Sequence, residues 1–159
     1  MNTAYLLTGG NMGNRLNNLR QAADFIQQKC GKIVAHSSIY ETEAWGKTDQ
    51  PAFLNQALQV ETDLSPDALM QILLDIESLM GRVRTIKMGP RIIDLDILLI
   101  NDLIQTSTLV TIPHPALTLR KFALLPLAEI APQLMHPVEK KSVLELLQIC
   151  PDILNVQKK

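Results

Sequence analysis

Aromatic side chains and cysteines are scarce in this chain. Only 4% of its 159 residues are aromatic, so each aromatic side chain is expected to have a specific place. The two cysteines, Cys30 and Cys150, are far apart and lack the spacing of metal ligands, as do the three histidines. A zinc site is therefore not expected. We expect two reduced thiols in a cytoplasmic protein.

A large net charge and a long apolar run are also missing. The net charge is −1, so no global electrostatic field attracts nucleic acid or an anionic membrane. No apolar run approaches the ~20 residues that span a bilayer. The first residues have strand character and lack the basic and apolar regions of a leader peptide. We expect small molecules as partners, neither nucleic acid nor a membrane, and a protein that acts as a monomer.

Length and composition indicate one globular domain over residues 1–159. The chain is 47% hydrophobic and 19% charged, which is ordinary for a soluble domain with its own core. It contains no internal repeat, low-complexity segment or linker.

Two carboxylates interrupt an apolar segment of strand character around residues 92–100. Asp94 and Asp96 lie two apart, so a strand would project both from one face, roughly 7 Å from each other. Apolar residues are expected on the other face: Ile93, Leu95, Ile97 and Leu99. Two like charges on such a strand are costly to desolvate, and Mg²⁺ is a common compensating ion. The alternative is a wet strand end with two solvated carboxylates.

A cationic segment precedes this strand. It contains four cations and no acid within ten residues: Arg82, Arg84, Lys87 and Arg91. Gly81 and Gly89-Pro90 mark the first three as part of a loop. Arginine binds phosphate oxygens through a planar, bidentate fork. The segment alone is consistent with a solvated surface, but beside the paired carboxylates it favours a metal–polyphosphate ligand.

Hydrophobic periodicity predicts a β-α-β-β-α-β order. We expect strands at 4–8, 32–40 and 53–62, then the Asp94 strand and a short strand near 103–106. We expect helices from Leu16 to Cys30 and from Ser65 to Gly81, and two more at 117–125 and 143–149. This order is typical of a ferredoxin-like split βαβ sandwich, an α+β fold with an antiparallel sheet and, here, extra C-terminal helices.

A glycine-rich segment, Gly9-Gly10-x-x-Gly13, follows the first predicted strand. It does not match a dinucleotide-binding or Walker A loop. We interpret it as a tight turn at which the backbone approaches a neighbouring loop closely.

The segment from Gly81 to Leu98 resembles a known family. Its Pro-Arg-x-x-Asp-x-Asp core is similar to that of 6-hydroxymethyl-7,8-dihydropterin pyrophosphokinases of folate biosynthesis. The resemblance extends along nearly the whole chain through these motifs: Gly9-Gly10-Asn11, Tyr40-x-Thr42, Gln50-Pro51-x-Phe53-Leu54-Asn55, Ile76-Glu77, Pro113-His114-Pro115 and Arg120-x-Phe122. It implies the same fold and the transfer of pyrophosphate from ATP to a pterin alcohol.

The resemblance also implies roles for individual residues. Asp94 and Asp96 would hold two Mg²⁺ ions, and Arg82 and Arg91 would act on the transferring group. ATP, the co-substrate, would contact these residues: Glu77, Arg84, Lys87, Ile97, Thr111, His114 and Arg120. The pterin would contact these: Thr42, Ala44, Trp45, Phe53, Asn55 and Phe122.

The residues alone, without the resemblance, leave three other functions as alternatives. A metal-dependent phosphohydrolase of the Asp-x-Asp type usually carries its motif after the first strand, whereas this pair lies past mid-chain. An RNA-binding module would need exposed aromatics on its central strands. A purely structural domain would leave the paired carboxylates unexplained.

Overall fold

In the computed structural model, the described residues are 1–43, 50–82 and 91–159. Their main sheet has six strands, all paired in antiparallel fashion. The strands are β1 (Asn2–Gly10), β2 (Lys32–His36), β3 (Tyr40–Thr42), β4 (Phe53–Thr62), β5 (Asp94–Ile100) and β8 (Val156–Lys158). The order across the sheet is β5-β1-β4-β3-β8, and β2 also pairs with β4. A separate hairpin is formed by β6 (Gln105–Thr106) and β7 (Thr111–Ile112).

The α-helices in the described part of the chain begin after a capping side chain in three of four cases. They are α1 (Arg15–Lys29), α2 (Pro66–Leu79), α3 (Lys121–Ile130) and α4 (Val143–Ile149), with a 3-10 turn at Leu117–Leu119. Ser65 caps α2 by accepting the N–H of Ala68, and Pro66 occupies the first helical position. Gly81 follows this helix with φ +88°, a conformation that favours glycine. The predicted start and end of α2 are confirmed.

Two hydrophobic cores share the main sheet. The first contains buried side chains of α1 and α2, such as Ile26 and Leu73, and the second contains those of α3 and α4, such as Leu124 and Leu146. Strand β1 contributes to both, since Leu6 belongs to the first core and Tyr5 to the second. This alternation follows from the two-residue period of a strand.

A bulge in β5 changes the expected arrangement of its side chains. The register with β1 shifts between Tyr5↔Leu99 and Leu6↔Ile97, so Leu98 is an extra residue. Ile97 therefore faces the first core, whereas Leu98 and Leu99 both belong to the second. The expectation that Leu99 lies on the same face as Ile97 is wrong, because strict alternation fails at the bulge.

Several other expectations need correction. The strand predicted at 32–40 is two strands, β2 and β3, because residues 37–39 leave the ladder. Strand β3 ends at Thr42, two residues beyond the predicted end at residue 40. Strands β7 and β8 were not predicted. The helix expected at 117–125 is a 3-10 turn followed by α3, which continues through Pro126 to Ile130.

The α+β class with an antiparallel sheet and C-terminal helices is confirmed, and the closer ferredoxin-like assignment stays a prediction. Cys30 is buried, Cys150 is partly buried, and neither forms a disulfide. No helix in the described part of the chain is long and apolar enough to cross a membrane.

Candidate active site

The pairing of β5 with β1 sets the position of the two carboxylates. Asp94 lies opposite Gly9 and Asp96 lies opposite Leu7. Both side chains precede the bulge, so they project from the same face, and each is 28% exposed. The prediction that Asp94 and Asp96 project from one face of the strand is therefore confirmed.

Asp94 is held by two arginines. Arg82 Nη1 lies 2.8 Å from Asp94 Oδ1, and Arg91 Nη1 lies 3.2 Å from Asp94 Oδ2. Arg82 also contacts Glu77 Oε2 at 3.0 Å. Glu77 is only 2% exposed, and its Oε2 accepts the N–H of Leu95 at 2.8 Å. A buried chain of alternating charge therefore runs from α2 to the carboxylate pair.

Asp96 has a different environment. Burial, followed by the nearby negative charge of Asp94, raises the pKa of Asp96 to about 7. His114 Nε2 lies 4.0 Å from Asp96 Oδ1, and His114 Nδ1 accepts the N–H of Ala116. Burial and the positive charge of Arg120 lower the pKa of His114 to about 4, so the ring is neutral at pH 7. Because Nδ1 is an acceptor, its proton resides on Nε2, toward Asp96.

A pocket opens on one side of the carboxylate pair, between β1, β3 and β4 and the start of α3. We call it the aromatic pocket, and it is lined by Leu7, Gly9, Thr42, Glu43, Phe53, Asn55, Arg91, Asp94, Asp96, Arg120 and Phe122. Two buried atoms, Thr42 Oγ1 and Asn55 Oδ1, have no hydrogen-bond partner among the described residues. Buried polar atoms are nearly always paired, so these two indicate a ligand with a polar edge.

The two phenylalanines of the aromatic pocket each lie beside an arginine. Arg91 Cζ is 5.8 Å from the ring centroid of Phe53, and Arg120 Cζ is 5.6 Å from that of Phe122. Both distances are within the range of a cation–π contact. Arg91 therefore contacts both an aromatic ring and the carboxylate of Asp94.

A second pocket lies on the other side of the pair, against the β6–β7 hairpin. We call it the hairpin pocket, and it is lined by Met70, Leu74, Glu77, Asp94, Leu95, Asp96, Ile97, Leu109, Val110, Thr111, His114 and Pro115. Asp94 and Asp96 thus line both pockets. Two ligands bound in the two pockets would meet at these carboxylates.

The family model of 7,8-dihydro-6-hydroxymethylpterin-pyrophosphokinase (HPPK) matches residues 5–132. The chain belongs to this family. A Bacillus subtilis 2-amino-4-hydroxy-6-hydroxymethyldihydropteridine pyrophosphokinase is 44% identical over 143 residues, 89% of this chain and 83% of that protein. A Methylorubrum extorquens protein of the same name is 40% identical over 85% of this chain and 86% of its own length. The expected pyrophosphokinase class of enzyme is therefore confirmed.

Some relatives are much longer than this chain. The Schizosaccharomyces pombe folic acid synthesis protein fol1 is 40% identical over 93% of this chain, which spans only 20% of that protein. The solved structure of wild-type Plasmodium falciparum HPPK-DHPS with SDX-DHP superposes with a TM-score of 0.76 at 20% identity. That match covers 93% of this chain and 43% of the other, and it supports the fold alone.

The structure brings together most of the residues that the pyrophosphokinase resemblance names. Thr42, Phe53, Asn55 and Phe122, predicted to bind pterin, line the aromatic pocket. Of the predicted ATP contacts, Glu77, Ile97, Thr111 and His114 line the hairpin pocket, whereas Arg120 lines the aromatic pocket. Arg82 is not among the described lining residues of either pocket, but it contacts Asp94, which lines both. Ala44, Trp45, Arg84 and Lys87 lie outside the described residues.

The glycine-rich segment explains how the site is held together. Asn11 donates an N–H to Arg91 O at 2.9 Å, and its side chain accepts the N–H of Arg91 at 2.9 Å. The same amide donates to Gln50 Oε1 and Pro51 O, each at 2.9 Å. A Cβ on Gly10 would lie 2.3 Å from Ile92 O, so only glycine fits. The expected close backbone approach is confirmed, whereas Gly9 and Gly10 are the last residues of β1 and not part of a turn.

Sequence reasoning missed some residues of the site. Glu43, Leu7 and Gly9 line the aromatic pocket, and Leu109 and Val110 line the hairpin pocket. Alternation along β1 could have placed Leu7 and Gly9 beside the carboxylates, but only once the β1–β5 register was known. In the described segments, no group of three or more potential metal-binding side chains is found.

Proposed function

We propose that this chain transfers a pyrophosphoryl group from ATP to the hydroxymethyl oxygen of 6-hydroxymethyl-7,8-dihydropterin. The hydroxymethyl oxygen would attack the β-phosphorus while the bond from that phosphorus to the α-phosphate oxygen breaks, which yields AMP and the pterin diphosphate. The observation that carries this proposal is that Asp94 and Asp96 line both pockets. The names of the bacterial relatives and of the folic acid synthesis proteins support it.

The aromatic pocket suits the pterin. A flat bicyclic ring needs a stacking surface and polar partners along its edge. Phe122 and Phe53 provide rings, while Asn55 Oδ1 and Thr42 Oγ1 provide buried atoms that have no partner in the described structure. Such atoms gain from a ligand that donates hydrogen bonds.

The hairpin pocket suits the nucleotide. Its wall combines apolar side chains, such as Leu74 and Val110, with Thr111 and the neutral ring of His114. The apolar part would contact a base, and the Nε2 proton of His114 would point toward phosphate oxygens near Asp96. Arg120 and the cationic segment that includes Arg84 and Lys87 would add positive charge.

The carboxylate pair fits two magnesium ions. Two hard oxygen donors on one strand face, beside a space open to a triphosphate, form the donor set that Mg²⁺ prefers, with phosphates and water as the other ligands. The ions would be held by Asp94 and Asp96 and, when bound, would neutralise charge on the triphosphate.

The arginines would complete the charge stabilisation. Arg91 lines the aromatic pocket between Phe53 and Asp94 and is proposed to stabilise the transferring group. Arg82, held by Glu77, would orient Asp94 and contribute a second positive charge. Phosphoryl-type transfer depends mainly on such positioning and charge. We also propose that residues 1–159 form a single domain that works as a monomer in the cytoplasm.

The product of ATP turnover tests the proposal. Purified protein is incubated with ATP and Mg²⁺, with and without 6-hydroxymethyl-7,8-dihydropterin, and the adenine nucleotides are separated. We expect AMP to form only when the pterin is present, in equal amount with the pterin diphosphate. ADP as the product, phosphate release without pterin, or no turnover would contradict the proposal and would favour a kinase, a phosphohydrolase or a binding module, respectively.

A further inference from the structure

The segment 151–159 contacts both walls of the aromatic pocket. It follows α4 and lies outside the residues 5–132 matched by the family model. None of its residues lines the pocket. Its hydrogen bonds nevertheless run to the first turn of α3 on one side and to β3 on the other.

On the helix side, Asp152 replaces a missing local cap. Arg120 precedes α3 in an extended conformation, with φ −123° and ψ 100°, and makes no side-chain capping bond. Asp152 Oδ2 accepts the N–H of Lys121 at 3.0 Å, and Asp152 Oδ1 accepts the N–H of Leu154 at 2.9 Å. The carboxylate therefore satisfies one free N–H at the positive end of the helix. Lys121 lies between Arg120 and Phe122, which both line the pocket.

On the sheet side, the same segment continues as β8. Val156 pairs with Thr42 and Lys158 with Tyr40, and the N–H of Lys159 donates to Ile39 O at 2.8 Å. Thr42 lines the pocket opposite α3. The segment therefore connects the two walls between which the ring of Phe122 is positioned.

The far end of α3 has an independent attachment. Glu129 accepts hydrogen bonds from the Ser38 N–H, the Ser38 hydroxyl and the Tyr40 hydroxyl. Loss of Asp152 would therefore leave the helix docked at its last turn. The effect would be confined to the first turn, where Phe122 lies.

We propose that Asp152 is a positioning residue for the pterin site, which fixes the first turn of α3 so that Phe122 faces the bound ring. This inference rests on the proposed function, since it assumes that the aromatic pocket binds the pterin. Asp152 acts through Phe122, so its removal costs no more affinity than removal of the Phe122 ring. Beyond the area that it buries, the stacking contact of that ring corresponds to between about twofold and about tenfold in Kd.

A double-mutant cycle tests the inference. The Kd for 6-hydroxymethyl-7,8-dihydropterin is measured by calorimetry, with a non-hydrolysable ATP analogue present, in wild type, Asp152→Ala, Phe122→Ala and the double variant. We expect Asp152→Ala to weaken binding between about twofold and about tenfold in the wild-type background and to have no further effect in the Phe122→Ala background. Amide exchange at Lys121 should be faster in Asp152→Ala, and the far-UV circular dichroism should be unchanged.

Two further variants keep the test decisive. Gln157→Ala, an exposed position of the same segment, should bind pterin as the wild type does. Asp152→Asn keeps one acceptor oxygen, so its Kd for the pterin should lie between those of wild type and Asp152→Ala. If the alanine variant does not fold, Asp152→Asn replaces it in the double-mutant cycle.

Additive losses in the double variant, or wild-type affinity in Asp152→Ala, would overturn the inference. Failure of the wild type itself to bind the pterin would instead contradict the proposed function.

Discussion

Replacing Asn55 by leucine should change binding and stability in opposite directions. Asn55 is 5% exposed, and within the described residues its Nδ2 makes one long hydrogen bond of 3.5 Å to Thr8 O. Its Oδ1 has no partner in the described part of the structure. Leucine has a similar shape but no polar atoms, so the variant isolates the amide.

The expected changes in the free energy of unfolding and in pterin affinity follow from these contacts. A buried polar atom without a partner costs roughly 1–3 kcal/mol, so its removal should leave the free energy of unfolding unchanged or raise it by about 1 kcal/mol. For a chain of this size, that corresponds to a melting temperature about 2–4 °C higher. In the complex the lost hydrogen bond should weaken pterin binding by a factor of about 5 to about 150 in Kd.

Gln56 provides a matched control on the same strand. It points to the opposite face of β4, and its Nε2 donates to Ser37 O at 2.9 Å. Gln56→Leu should lower the free energy of unfolding by about 1 kcal/mol and leave pterin affinity unchanged.

Urea denaturation gives the free energy of unfolding of each variant, and calorimetric titration gives its Kd for the pterin. Clear destabilisation of Asn55→Leu with wild-type affinity would refute the reasoning, since Oδ1 would then be satisfied within the protein.

Three other predictions concern the charged groups. Asp96→Asn should keep the fold and abolish AMP formation, and full turnover at saturating Mg²⁺ would contradict the metal assignment. Arg82→Lys should lower kcat by on the order of 10²–10³ and change the Kd for ATP much less, because lysine lacks the planar guanidinium whose Nη1 contacts both Glu77 and Asp94. Single-turnover kinetics and calorimetry would separate the two effects. Burial, with the hydrogen bond to Glu129, raises the pKa of Tyr40 to about 12. The stability that the protonated Tyr40 hydroxyl contributes is therefore full below pH 10 and is lost as the pH rises to about 12. Melting curves of Tyr40→Phe should show a weaker pH dependence in that window than those of the wild type.

The sequence by itself determined the elements whose signals are local. Strand β4 has the predicted bounds, Phe53–Thr62, because an apolar β-rich run lies between polar segments. Helix α2 starts at its serine cap and ends before Gly81. The spacing of Asp94 and Asp96 sets their common face because the period of a strand is two. These features depend on neighbours within a few residues, which the sequence displays directly.

Other features depend on contacts between residues far apart in the chain. The bulge at Leu98 arises from the register of β5 against β1, and the capping of Lys121 by Asp152 joins positions 31 residues apart. Nothing in the local pattern distinguishes Asp152 from any surface acid.

The sharing of Asp94 and Asp96 between two pockets was also decided only by the tertiary structure. It requires β1, β4, α3 and the β6–β7 hairpin to surround one strand end. Local periodicity specifies which way a side chain points, whereas packing of distant segments decides what it meets there.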